Sequence, residues 1–131
     1  MKKKILITAG SLFAVLLIAA ALFKLRYDKM VRTIEEQPVE TVDLAMLPDG
    51  VYSGSFSDFL LSVTVEVTVA DHSIADISVV EQRCGPGYDG LETVDRILEA
   101  QDPGVDAVSG ATGSSRAIMI AVYRALEGEP Q

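Results

Sequence analysis

Residues 5–23, ILITAGSLFAVLLIAAALF, carry no charge. Nineteen such residues wound as a helix reach about 28 Å, close to the hydrocarbon thickness of a bilayer. The run is apolar on every face, which suits a membrane better than the surface of a soluble core. Lys2, Lys3 and Lys4 precede it, and Lys24, Arg26, Lys29 and Arg32 follow it. Charge on both flanks blunts any orientation rule, but the leading lysines match the start of an export signal. Ala19-Ala20-Ala21 offers small residues for cleavage. Because Lys24 and Arg26 follow so soon, the expectation is a retained anchor. Residues 1–26 are thus read as a membrane anchor or signal segment. It would be a single pass in the cell membrane, with the C-terminal part outside the cytoplasm.

The remainder of the 131 residues suffices for one small domain. Charge divides sharply: from Thr33 onward there are 18 acidic residues against four arginines, a formal charge of −14. Such a surface repels phosphate backbones, so no nucleic-acid role is expected. Cys84 is the only cysteine and His72 the only histidine. That excludes an internal disulfide and a Cys/His zinc site, and Cys84 is read as a passive thiol rather than a redox group. The spacing G-x-G-x-x-G occurs at residues 85–90, GPGYDG, but no strand is expected after the helix that follows it. The βαβ unit of a dinucleotide site is therefore missing, which argues against a stand-alone reductase.

Residues 27–48 read as a polar linker whose first part continues the anchor helix until Pro38 ends it. Pro48-Asp49-Gly50 is a turn signal, and a domain is expected over 49–127. Val51–Phe56 reads as a strand followed by a turn at Ser57-Asp58. From Leu61 to Val69 apolar and polar residues alternate without a break, the period of a half-buried strand. Ala70–Ser73 reads as a hairpin turn, and Ile74–Glu81 as a third strand with Ile77 and Val79 on one side. Leu91, Val94, Ile97 and Leu98 then recur at helical spacing up to about Gln101. Ala117, Ile118, Ala121, Val122 and Ala125 mark one face of a last helix. The fold class is α+β: a small antiparallel sheet with helices on one face, preceded by a transmembrane helix.

Just before the last helix stands Asp106-Ala107-Val108-Ser109-Gly110-Ala111-Thr112-Gly113. The first N–H groups of a helix lack internal partners, and the helix dipole adds partial positive charge there. Thr112 or Ser114 could cap them. Alternatively, with Gly110, Ala111 and Gly113 offering little side chain, a phosphate could sit directly on the backbone. Arg116 is the only nearby cation in the sequence. A plain cap and a phosphate site both satisfy these residues.

The stretch Asp106–Thr112 also matches D-x-x-[ST]-G-A-[ST], and the chain thereby resembles the FMN-binding domain family. That domain is found in the C subunit of sodium-pumping NADH:quinone reductase, in the G subunit of Rnf complexes and in small membrane-anchored proteins. The resemblance runs from about Asp49 to Leu126, through Asp49–Gly54, the Val63–Val69 strand and Arg96–Gln101. It implies FMN held covalently on Thr112 through a phosphoester, attached from FAD by a separate Mg²⁺-dependent flavin transferase that reads Asp106. Ser109, Gly110 and Ala111, with Gly113, would form the phosphate-side backbone. The loop facing the flavin in relatives departs here, as Arg83-Cys84-Gly85-Pro86-Gly87. Tyr88 beside it either stacks on the flavin ring or simply anchors the loop. The implied role is electron relay between an unidentified donor and acceptor at a membrane. The competing reading is an anchored binding or assembly module that keeps the fold without flavin.

Overall fold

The computed structural model describes residues 1–85 and 87–128. Its elements are α1 (Lys2–Glu36), a short 3-10 turn (Leu44–Met46), β1 (Gly50–Asp58), β2 (Leu61–Ala70), β3 (Ser73–Arg83), α2 (Glu92–Ala100) and α3 (Thr112–Glu127). The three strands form one antiparallel sheet in the order β1-β2-β3, and α3 lies across one face of it. This is the α+β architecture expected.

β2 follows its alternation: Val63, Val65, Val67 and Val69 are buried, while the residues between them face outward. On β1 the inward positions are Tyr52, Gly54 and Phe56. Gly54 sets the distance between sheet and helix. A Cβ there would stand 2.1 Å from the Ala121 carbonyl oxygen and 2.5 Å from the Ala125 amide nitrogen. The small residues Ala117, Ala121 and Ala125, all buried, complete this close approach.

Both hairpins have two-residue loops. At the β2–β3 turn Asp71 and His72 adopt φ of 50° and 61°, the left-handed pair that suits the twist of a tight hairpin. Asp49 Oδ1 supports it by accepting from the Asp71 N–H (3.1 Å). The β1–β2 turn falls at Phe59-Leu60, not at Ser57-Asp58, which instead pair with Ser62 and Leu61. An apolar tip is tolerated because α1 covers it: the Phe23 ring meets Phe59 edge-on at 5.5 Å and Arg26 lies over the same ring at 5.8 Å. Strand β3 is longer than expected and carries two register shifts opposite β2. The shift opposite Thr68 and Val69 brings Ile74 and Ile77 to the buried face three residues apart, a spacing that simple alternation forbids.

α1 is long and apolar enough over its first part to cross a membrane, and residues 1–27 are exposed throughout. The same helix continues through the polar stretch and stops at Glu36, before Pro38. In that continuation Met30 and Ile34 are 4% and 3% exposed and belong to the core. α2 ends at Gln101, whose side chain accepts from the Ile74 N–H (2.6 Å) and donates to the Ile74 and Leu98 carbonyls. α3 is buried on more than the one face its pattern marked: every residue from Ala117 to Tyr123 is buried. The sheet covers one side, and α1, α2 and the preceding loop cover much of the rest.

Candidate functional site

The site is built around the start of α3. Gly110 takes φ +81°, and Ala111 is the N-cap, without a side-chain cap hydrogen bond. Neither Thr112 nor Ser114 caps the helix, contrary to the sequence expectation. The hydroxyl that matters is one residue further on. Ser115 Oγ accepts from the Val108 N–H (3.0 Å) and donates to the Ala111 carbonyl (2.7 Å). A buried hydroxyl thus ties the incoming loop to the first turn from inside, while the N–H groups of Thr112, Gly113 and Ser114, like those of any first turn, have no intrahelical partner. Thr112 itself is exposed.

The loop is held from the other side by Arg96 on α2. Its Nη1 donates to the carbonyls of Asp106 (2.9 Å) and Ala107 (3.1 Å), and Glu92 orients the guanidinium through two contacts of 2.9 and 3.3 Å. Gly90, at φ +63°, makes room: a Cβ there would stand 3.0 Å from both Ser115 N and Oγ. Sequence reasoning missed the roles of Arg96, Ser115 and Gly90. Only the separation of Glu92 and Arg96 by four residues hinted at a helix-surface pair.

A groove of about 560 Å³ opens beside Thr112. One side is the α3 start, Gly110–Ser114 with Arg116. Leu60 and Leu61 of the hairpin, and Gly85 and Tyr88 of the loop, form its rim. The remaining wall is α1, from Tyr27 to Glu35. A second hollow of about 270 Å³ lies between Gly87–Glu92 and Val108–Ala111. Of the expected site residues, Thr112, Gly110, Ala111, Gly113 and Tyr88 come together at the first groove. Ser109 lines the second, which shares Tyr88, Gly110 and Ala111. Asp106 joins neither; its exposed side chain borders a separate depression with Arg96, Glu99 and Gly104.

Arg116 lines the groove but its Nη2 also points to the carbonyls of Ile34 (3.4 Å) and Gln37 (3.3 Å), at the C-terminal end of α1. It therefore stabilises a helix end whose partial charge is negative, besides facing the space next to Thr112. Cys84 is half-buried against the core and lines neither hollow. Pro86, in the altered loop, lies outside the described residues. Among the described residues no His, Cys, Asp or Glu cluster is arranged to hold a metal.

A family model for the FMN-binding domain matches residues 61–127. The chain belongs to the FMN-binding domain family. The match contains β2, β3, α2, α3 and Thr112, and begins after β1 and α1. No curated protein matches the chain. The residues of this FMN-binding domain suit its cofactor. A helix start without its own cap can receive a phosphate on backbone N–H groups, and the adjoining groove falls in the size range of small-molecule pockets. Its hairpin and α1 walls present Leu60, Leu61, Met30 and Ile34, an apolar lining for an aromatic ring.

Proposed function

We propose that Thr112 carries FMN through a phosphoester bond, and that the chain relays electrons as a membrane-anchored flavoprotein outside the cytoplasm. The observation that supports this most directly is the exposed Thr112 at an uncapped helix start, opening onto a groove large enough for the ring. In the attachment, Thr112 Oγ forms a bond to the FMN-side phosphorus of FAD. The pyrophosphate bridge breaks, AMP leaves, and the hydroxyl proton passes to the flavin transferase. Asp106 is the residue we assign to recognition by that enzyme. Its place outside the groove agrees with a contact made from outside rather than with the cofactor.

FMN supplies the redox chemistry that no side chain here offers. The chain's own residues do the rest. The first turn of α3 receives the phosphate, Ser115 and Arg96 hold the loop that presents Thr112, and the apolar groove shields the ring from water. The donor and acceptor would be other redox partners at the membrane or beyond it.

The test is co-expression of the full chain with an active flavin transferase, followed by intact mass. Attachment adds about 438 Da, the mass of FMN less one water, and leaves a yellow colour that survives denaturation. A colourless chain without the added mass, in the presence of a transferase active on another substrate, would refute the proposal. The alternative of a flavin-free binding module would then stand.

A further inference from the structure

The two hollows beside the α3 start differ in what they can hold. The one of about 270 Å³ is rimmed by Asp89 and Glu92 and falls below the usual size of a small-molecule pocket, roughly 300–1,000 Å³. The one of about 560 Å³ is within that range and contains Thr112. Of these two hollows, the larger is the one that is both roomy and mainly apolar, and it is the one that Thr112 lines.

One wall of that larger groove is α1, the helix that bears the membrane run. Tyr27, Val31 and Ile34 are spaced four and three residues apart and so share a helix face. Met30 and Ile34, buried in the core, fix the rotation of the helix, and Tyr27 and Val31 are thereby held at the groove. The Leu60 N–H, directed at Met30 Sδ (3.5 Å), and the Phe23–Phe59 contact tie the hairpin tip to the same helix. The wall is therefore built into the domain rather than swung beside it on a free linker.

We infer that α1 forms part of the flavin site, with Tyr27 and Val31 facing the isoalloxazine ring from the side opposite the α3 start. This rests on the Thr112 reading above and adds residues that lie outside the family match. It also fixes the ring's height. Tyr27 is four residues past Phe23, the end of the uncharged run, about 6 Å along the helix. The ring is then held at the membrane surface, where an electron partner within the bilayer plane can reach it.

The experiment uses the full chain in lipid nanodiscs, treated with flavin transferase and FAD. Intact mass is read first, then flavin emission and its quenching by iodide. A tyrosine against the ring quenches flavin emission, so Tyr27→Leu is expected to raise it about twofold or more through the lost aromatic contact. Val31→Gln, which makes the wall polar, should raise the iodide quenching constant by a similar factor. Leu25→Ala, on an exposed part of the same helix (66% exposed), should change neither. Tyr27 is 45% exposed, and the two variants alter separate positions, so if one fails to fold the other decides. Added mass in every protein with unchanged emission and quenching overturns the placement of the ring against α1 while leaving the Thr112 reading intact. That is also the result expected if a lipid chain fills the groove. Wild-type chain without added mass overturns both.

Discussion

Two helices begin within contact of each other, and they begin differently. At the start of α2, Asp89 Oδ1 accepts from the Leu91 N–H (3.3 Å), and Glu92 and Asp95 stand in the first turn. At the start of α3 there is no side-chain cap and no acidic residue in the first turn. Both helices carry the same kind of dipole. One start is neutralised by the chain's own carboxylates; the other, in a strongly acidic domain, has none in its first turn. An exposed threonine, two glycines and an alanine occupy the place where acids would add stability. That contrast is the physical reason for regarding the α3 start as a receptor for an external anion.

The largest expected effect comes from removing the hydroxyl at the open start. Thr112→Ala should abolish flavin attachment by intact mass, and as an exposed position it should leave stability within about 0.5 kcal/mol in a urea titration. Thr112→Ser should restore attachment, because the hydroxyl is what the reaction uses. Next is the contact between the two starts. Gly90→Ala places a Cβ 3.0 Å from Ser115 N and Oγ at a positive φ, with an expected loss of about 1–3 kcal/mol from backbone strain and displaced contacts. A near-neutral result would mean that the two starts do not depend on each other.

A smaller change would make α3 resemble α2. Thr112→Asp puts a carboxylate in the first turn and should be more stable than Thr112→Ala by about 0.3–1 kcal/mol at low salt. It should also fail to take up flavin. Equal melting of the two variants would show that the α3 start has no unmet preference for negative charge. The smallest effect is expected at the closed start. Glu92→Gln removes an exposed pair with Arg96, worth about 0.2–0.5 kcal/mol. Because Arg96 also holds the Asp106 and Ala107 carbonyls, the loop amides around Val108 should exchange faster with deuterium. Unchanged exchange would show that Arg96 needs no orienting partner.

The opposite end of α3 offers a contrast of its own. The Tyr123 hydroxyl donates to Glu127 (2.7 Å), and this hydrogen bond, with further help from burial, pushes its pKa up to about 12. The pair joins two side chains one turn apart at the end of α3. Of the two helix starts that border the site, that of α3 is the one with no acid in its first turn.

Several elements are legible in the sequence alone, for a definite reason. The alternation of Leu61–Val69 can bury its valines only as a strand with one covered face, and β2 does so. The uncharged run 5–23 excludes every environment but an apolar one or a helix buried on all sides. The loop–helix motif at 106–113 was readable because small residues and a threonine at a helix start have few physical uses. Other expectations gave way to contacts between distant parts. The first β-turn moved to Phe59-Leu60 because α1 covers an apolar tip that would otherwise be exposed. The cap was expected at Thr112 or Ser114, but Ser115 reaches Val108 only because the preceding loop folds back over it.

What the sequence by itself determined about this protein is local: the period of its strands, the length of its apolar run and the chemistry of the Thr112 loop. Each follows from residues near one another in the chain. Tertiary structure alone decided that Met30 and Ile34, two apolar residues in a charged stretch, belong to the core and turn α1 into a wall beside Thr112. It also decided that Asp106, six residues from Thr112, borders a different depression. Periodicity records which face of an element is covered, but not which distant segment covers it. The site beside Thr112 is made mostly of such distant segments.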